Sequence, residues 1–443
     1  MSAVLNREVF RTSRELEYFT AKELTLQTGH EPERWPEVIL KELVDNGLDA
    51  CEGAGVLPEI KVTLDADSIT VTDNGPGLPS DVIKSVLDFS VRASSKDHYI
   101  SPTRGAQGNA LKTVVAIPYV ISDCRLGELE IIVGGERHLI RTSIDRIAQR
   151  PTFAHTTETT GHFVKNGTSV KVLWPDLSSY LVERLSSRFL QTLTGYSLFN
   201  PHATFELNAF GTTTRFERIA DTCEKWLTNE QTSPHWYTPE QLRNLIAAYV
   251  HAEQSGAPPK TVRAFISEFR GLSATAKQKA ITNPIGLSDV YLRDLIKDDD
   301  IDRQVVERLL QAMKLASKTV KPLSLGCIGE NRLRTWFESN GVALQTFKYF
   351  RIAEVDDARG LPIVLEVAFA VRESGGERNL ITGINWSPTL INPFRSLGNF
   401  GVSLDGLLSQ LCIERRHPIT VVLHLASPQL NYTDRGKSSL EVA

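Results

Sequence analysis

The sequence predicts an α+β sandwich at the N-terminus, then a mainly helical middle insert and a C-terminal α/β domain. Three observations predict this. Residues 1 to about 210 mix helical spacing with alternating strands, such as Glu59–Leu64 and Ser169–Trp174, which suits helices on one face of a sheet. From about 215 to 320 the spacing is helical, as in Gln241–Val250, with Ser233–Tyr237 marking a connection before it. From about 322 strands return at Leu361–Ala370 and Ile419–Leu425, with helical residues around Leu404–Leu411 between them. At 443 residues the chain is too long for one ordinary core. These shifts divide it at 1–212, 213–320 and 321–443.

Composition narrows the class. Apolar content of 41% and charged content of 23% are those of a folded soluble protein. A net charge of -4 argues against a broadly basic surface, while leaving room for a local basic groove. No stretch approaches 18 continuous apolar residues, and the N-terminus lacks a signal-peptide pattern, so a cytoplasmic protein without membrane contact is expected. The five cysteines are scattered without CxxC pairs, which fits reduced thiols and no structural zinc. The ten histidines show no HxH or HExxH arrangement.

The most informative stretch is Lys41–Ala50. As a helix it puts Glu42, Asn46 and Asp49 at i, i+4 and i+7 on one face, with Leu40, Leu43, Val44 and Cys51 opposite. A carboxylate, an amide and a second carboxylate in line suit a hydrated cation and a reacting water. Alone, the stripe suits a solvated surface equally well. Next, Ile69 and Val71 alternate as in a strand, and Asp73 continues on their buried side. A carboxylate there needs a donor, such as an exocyclic amine, unless it sits exposed at a hairpin turn. Gly75 and Gly77 then turn the chain and let its backbone approach a ligand.

A third segment, Thr103–Thr113, runs from a glycine-containing loop into the apolar Val114–Ile117. Free N–H groups at a helix start favour an anion, and phosphate is the natural candidate, with Lys112 adding a point charge. The spacings fit neither a Walker A loop nor a Rossmann fingerprint.

In this order the segments resemble the GHKL ATPases, which include gyrase and topoisomerase VI B subunits, MutL proteins, large heat-shock chaperones and histidine kinases. Glu42 to Asn46 match the first box, Asp73-x-Gly75-x-Gly77 the second, and Gly105–Gly108 the phosphate lid, while Asn166–Val170 looks like the later Gly-Thr segment. The resemblance implies a GHKL (Bergerat) ATP-binding sandwich with ATP and Mg²⁺ as cofactors. Glu42 would be general base, Asn46 magnesium ligand, Asp73 adenine reader and Thr168 holder of the adenine-binding water. Asp49, Gly75, Gly77, Arg104, Gly105, Gln107, Gly108, Asn109 and Lys112 complete the implied nucleotide site. Ala110 stands where a third lid glycine is common.

Within the superfamily the rest of the chain resembles topoisomerase VI B subunits. Glu15–Thr20 is similar to their lead-in helix, Phe265–Phe269 with Ala276–Ile281 to their helix–two-turn–helix insert, and Pro322–Glu330 to the junction into their transducer domain. His424–Ser427 followed by Tyr432–Lys437 resembles the loop bearing the transducer's switch lysine, which implies that Lys437 reaches a γ-phosphate. The sequence ends at Ala443, six residues after Lys437, where those subunits continue into a long helix that grips the DNA-cleaving A-type partner. A truncated chain, a lost arm and a divergent bacterial branch all fit. The acidic run Asp298–Asp302 reads as a helix start rather than a metal site.

Two functions follow from the resemblance. One is an ATP-dependent homodimerising clamp, the ATPase subunit of a type IIB topoisomerase, reaching DNA through a complex with a cleaving A-type subunit. The other is an ATP switch in a bacterial defence or signalling complex. Neither predicts DNA cleavage by this chain alone.

Overall fold

The computed structural model describes residues 14–442 except 88, 90–97, 105–109, 146, 148–149, 160–165, 175–178, 223, 298–299, 357–358, 398–400 and 434–438. An eight-stranded sheet organises the first part of the chain. Its strands are β1 (Glu59–Leu64), β2 (Ser68–Thr72), β3 (Gly127–Val133), β4 (Glu136–Asp145), β5 (Arg150–Thr159), β6 (Thr168–Leu173), β7 (Thr204–Ala209) and β8 (Thr212–Phe216). They lie in the order β5-β4-β3-β6-β2-β1-β7-β8, antiparallel except for β1 and β7. β8 carries the sheet to Phe216, past the boundary expected at residue 212.

Strand register explains which face is buried. Val62 pairs with Val71, Val71 with Val170, and Val170 with Ile131. Leu64, Ile69, Val172, Leu129 and Ile140 make a second such row. Period-two alternation places both rows on one side, where helices cover them. The covering helices are α1 (Ala21–Thr28), α2 (Trp35–Gly53), α3 (Ser80–Val86), α4 (Ala110–Ile121) and α5 (Ser179–Phe199). From α2, Leu40, Val44 and Leu48 are fully buried in this core. Each such side chain contributes roughly 1.5–3 kcal/mol. The lead-in segment forms a 3₁₀ turn, Arg14–Phe19, whose Tyr18 and Phe19 pack on Phe89. Thr20 then caps α1 by accepting from the Glu23 N–H.

The middle segment is helical, as its spacing predicts: α6 (Pro239–Gln254), α7 (Val262–Ile266), α8 (Thr275–Thr282) and α9 (Arg303–Ala316), with a small hairpin of β9 (Ile296–Lys297) and β10 (Asp300–Ile301). Thr238 and Gln241 form a reciprocal capping box that starts α6. Asp302 caps α9 by accepting from the Gln304 and Val305 N–H groups, and Asp300 pairs with Arg243, so this part of the acidic run starts a helix. Asp298 and Asp299 lie outside the described residues.

The third part comprises α10 (Glu330–Ser339), β11 (Lys348–Val355), β12 (Pro362–Val371), β13 (Asn379–Ile384), β14 (Ser387–Pro388), β15 (Ser396–Leu397), α11 (Leu404–Gln410), β16 (Ile419–Ala426) and β17 (Glu441–Val442). Five strands form a sheet in the order β11-β12-β16-β13-β14. β13 and β16 run parallel, which requires the crossover that carries α11. α5 seats the first part against this sheet. A side-chain carbon on Gly383 would stand 2.5 Å from the Phe199 ring, and one on Gly195 would stand 2.8 Å from Pro388. Glycine at both positions lets the two layers touch.

Candidate active site

The site begins where α2 crosses the end of β2. Burial on α2 falls as its periodicity requires: Leu40, Leu43, Val44 and Cys51 are buried, whereas Glu42, Asn46 and Asp49 are half-buried along the other face. Gly47 sits between them beneath Asp73. A Cβ there would lie 3.1 Å from Asp73 Cβ and 3.1 Å from Ile60 Cδ1, so glycine lets the strand end rest on the helix.

Asp73 is fixed by backbone. Its N–H donates to Thr168 O at 3.0 Å, and its Oδ1 accepts from the Gly75 N–H at 2.8 Å. Burial pushes its carboxyl up, against N–H groups that favour the charge. Asn74 ties the same turn down. Its Oδ1 accepts from the Glu59 N–H at 2.8 Å and from the Cys51 thiol at 3.2 Å. Burial pushes that thiol up to about 12. Gly167 crosses directly over Asp73 at φ 112°, and a Cβ on it would fall 1.9 Å from Asp73 O. Gly77, at φ 91°, would meet Val133. Thr168 follows Gly167 on β6 and is buried beside β3.

Asp73, Gly75, Gly77, Gly167 and Thr168 therefore meet at one strand end, which rests on Gly47 of α2, the helix that also carries Glu42 and Asn46. Asn46 Nδ2 is buried and has no hydrogen-bond partner among the described residues. Which end of that amide carries oxygen is an assignment, so the same position equally offers an acceptor to a cation. The donor set, a carboxylate and an amide on one helix face, fits a hard cation with retained water.

Asp49 and Arg104 take a different place. The Arg104 fork donates to Glu52 at 2.8 Å through each of two nitrogens, to Asp49 at 2.7 Å, and to Asn200 Oδ1. Its side chain is 1% exposed. The structure thus joins both residues in an ion cluster, where three acidic side chains of α2 converge on the guanidinium. Lys112 is likewise buried, its ammonium 5.6 Å from the Phe89 ring centroid. Gly105, Gln107, Gly108, Asn109 and Lys437 lie outside the described residues.

The cluster contains residues that the sequence reading missed. Glu52 also pairs with Lys225 at 2.6 Å and with His202 at 2.9 Å. Burial opposes its charge, but Arg104 and Lys225 outweigh it and hold the carboxyl well below the usual range. Asp49, with a weaker share of the same cations, stays raised because burial dominates. Asp45 accepts from Lys41 at 2.7 Å, Tyr196 at 2.7 Å and Ser387 at 2.8 Å. Asp45 and Glu52 are seven residues apart on α2, a second polar stripe that the helical spacing already contained.

Among the described residues no helix is long and apolar enough to cross a membrane. Residues 31–173 match the family described as histidine kinase-, DNA gyrase B-, and HSP90-like ATPase. Over 427 residues the chain is 29% identical to the B-type subunit of type 2 DNA topoisomerase 6 from Archaeoglobus fulgidus, covering 91% of this chain. It spans 66% of that relative's length. It is 24% identical over 428 residues to the same protein of Saccharolobus solfataricus, covering 90% of this chain and 74% of the relative. Among solved structures, the B-subunit of DNA gyrase from Myxococcus xanthus matches with a TM-score of 0.37 at 11% identity, over 98% of this chain and 88% of that one. Residues 31–173 are thus similar to the GHKL-type ATPase family, and the chain as a whole resembles topoisomerase VI B subunits.

Proposed function

We propose that the chain is an ATP-operated dimerising clamp, the ATPase subunit of a topoisomerase VI-like type IIB enzyme. The observation that carries this is the seating of Asp73 between Gly47 of α2, the helix that bears Glu42 and Asn46, and Gly167, the residue before Thr168. Similarity to topoisomerase 6 B subunits over about 90% of the chain supports the wider reading.

In this reading Asp73 accepts the adenine amine and Thr168 helps to hold the water beside the base. Asn46 holds Mg²⁺, which neutralises phosphate charge when bound. Glu42 orients and deprotonates the attacking water. The Gly105–Asn109 lid covers the phosphates, and Lys437 senses the terminal one. Catalysis is then positioning and charge stabilisation, as in phosphoryl transfer generally. Two protomers close on ATP and reopen after hydrolysis. An A-type subunit supplies DNA cleavage, and DNA is reached through that complex.

The test uses Glu42→Ala. It should keep ATP affinity but lower turnover by roughly 10²-fold or more, as expected for loss of a positioned base. Undiminished release of labelled phosphate would remove Glu42 from the role. GTP should bind more weakly by about 1–3 kcal/mol, because Asp73 would face an acceptor in place of the amine. Equal calorimetric affinities would contradict the base assignment. Relaxation of supercoiled plasmid, with Mg²⁺ and the A-type subunit, separates a topoisomerase from an ATP switch serving another complex.

A further inference from the structure

The third sheet ends on a strand that is open along one side. β11 lies at the edge of the order β11-β12-β16-β13-β14, and among the described residues no strand pairs with its outer side. Lys348–Val355 runs in unbroken register with β12, so it carries neither the proline nor the bulge that blunts an edge strand. Its side chains are not those of a solvated strand either. Phe350 is 59% exposed and Ile352 49%, and both lie on one face, two residues apart. Across the sheet Phe350 pairs with Val367 and Ile352 with Leu365, which pair in turn with Leu423 and Leu425 of β16. These residues are buried on β16, half-buried on β12 and exposed on β11. The apolar face thus runs out uncovered to the edge of the sheet.

The sequence of β11 selects the strand that fits there. A two-fold axis normal to the sheet joins two copies edge to edge with each face continuous, so residues of the same parity stand opposite one another. With that axis at Arg351, Lys348 of each copy faces Glu354 of the other, and Phe350 faces Ile352, all on one face. Moving the axis by one residue sets Phe350 against Glu354 in one direction and Lys348 against Ile352 in the other. The favoured register sets Arg351 against its own copy, but on the opposite face, where its guanidinium donates to Cys327 Sγ of the same chain at 3.5 Å. The edge is therefore complementary to itself in charge and in apolar pairing at a single register.

We propose that β11 is a contact between two copies of this chain, pairing antiparallel about Arg351 so that their third sheets become one. The apolar row then runs unbroken from Leu423 through Val367 and Phe350 of one copy to Ile352, Leu365 and Leu425 of the other. Main-chain hydrogen bonds across the edge supply affinity, and the side-chain pairs fix the register. Nothing in this contact draws on nucleotide, so it stands independently of the ATPase reading.

Sedimentation of the nucleotide-free full chain through the micromolar range should show a monomer–dimer equilibrium. Ile352→Lys should abolish the dimer without lowering the melting temperature of the monomer, because that side chain is already half exposed. Lys348→Glu and Glu354→Lys each set like charges opposite one another at both ends of the contact. Each should weaken the dimer about tenfold, the scale of two cross-strand pairs. Combining Lys348→Glu with Glu354→Lys restores opposite charges at the same register and should bring the affinity back to within about threefold of the unaltered chain. Neither unspecific apolar association nor a groove shaped for a foreign strand would produce that recovery. If Ile352→Lys does not fold, the charge variants decide alone. A monomer at every concentration overturns the proposal. So does a dimer that Ile352→Lys leaves intact, since another surface then holds it, and so does a double variant no tighter than the single ones, since the register is then wrong.

Discussion

Glu52 illustrates what a single buried carboxylate can bind together. It accepts from Arg104 and Lys225 and lies 2.9 Å from His202, with the Lys225 ammonium also 5.5 Å from the Trp386 ring centroid. Removing one member of such a buried set leaves the others charged and unpaired, which costs far more than the set's net worth. His202 gives this cluster a pH dependence. Burial lowers its pKa below the ordinary histidine value, and the hydrogen bond to Glu52 only partly offsets this. A base with a depressed folded pKa binds fewer protons folded than unfolded. Its share of stability is therefore complete above the unfolded value of about 6.5 and is lost as pH falls through the folded one. Glu52, depressed well below its own ordinary value, acts only in a more acid window. The melting temperature should thus drop between pH 7.5 and 5.5, and His202→Gln should drop less across that interval. His155 and His235 shift in the same direction and would retain their part of the slope. Equal slopes in the two proteins would show that His202 does not titrate on unfolding.

At the scale of elements, α2 carries the site on one stripe and the domain seam on the next. Glu42 and Asn46 share the half-buried face, while Lys41 and Asp45 meet Ser387 of the third sheet, Asp45 meets Tyr196 of α5, and Glu52 meets Lys225. Gly167, just before β6, crosses closely over Asp73, whose strand end rests on α2 at Gly47. Gly167→Ala would force a side chain into φ 112° and against Asp73 O. Strain of this kind costs about 1–3 kcal/mol before any steric overlap. The variant should melt earlier and lose ATP affinity while α6 to α9, whose core is separate from that of the first sheet, keep their helical signal. Full ATP affinity in that variant would show that the crossing does not shape the site. The first stripe and its strands were legible in the sequence because they rest on local periodicity: β1 and the core face of α2 fall where alternation and helical spacing put them. The second stripe was not. Its meaning depends on Tyr196 and Ser387, and Ser387 lies 342 residues from Asp45. Arg104 and Asp49 show the same limit, since the resemblance placed them in the nucleotide site and only the fold revealed how many acidic groups surround one guanidinium.

At the scale of the whole molecule, the first domain meets the third sheet through α5 and the turn between β13 and β14, so a clamp of the proposed kind would have to pass its state across that seam. Lys437 is the proposed end point. It lies between residues that are themselves held: the Thr433 N–H donates to Ser439 O at 2.9 Å, Tyr432 bridges Leu440, and the Leu440 N–H donates to Pro393 O at 2.8 Å. Leu440 is buried in the cluster beside β16. If Lys437 meets the γ-phosphate, it makes a contact that ATP offers and ADP does not. Lys437→Ala should then weaken the preference for ATP over ADP by roughly 10- to 100-fold, the scale of a charge-assisted hydrogen bond of about 1.5–3 kcal/mol. If the proposed closure needs the same contact, a non-hydrolysable ATP analogue should convert the unaltered chain from monomer to dimer at micromolar concentration and should do so poorly for the variant. Discrimination between ATP and GTP should stay intact, since Asp73 is untouched. Sedimentation that finds one mass with and without analogue removes the clamp. Dimerisation of both proteins alike, with unchanged ATP-to-ADP preference, keeps the clamp and removes Lys437 as its sensor.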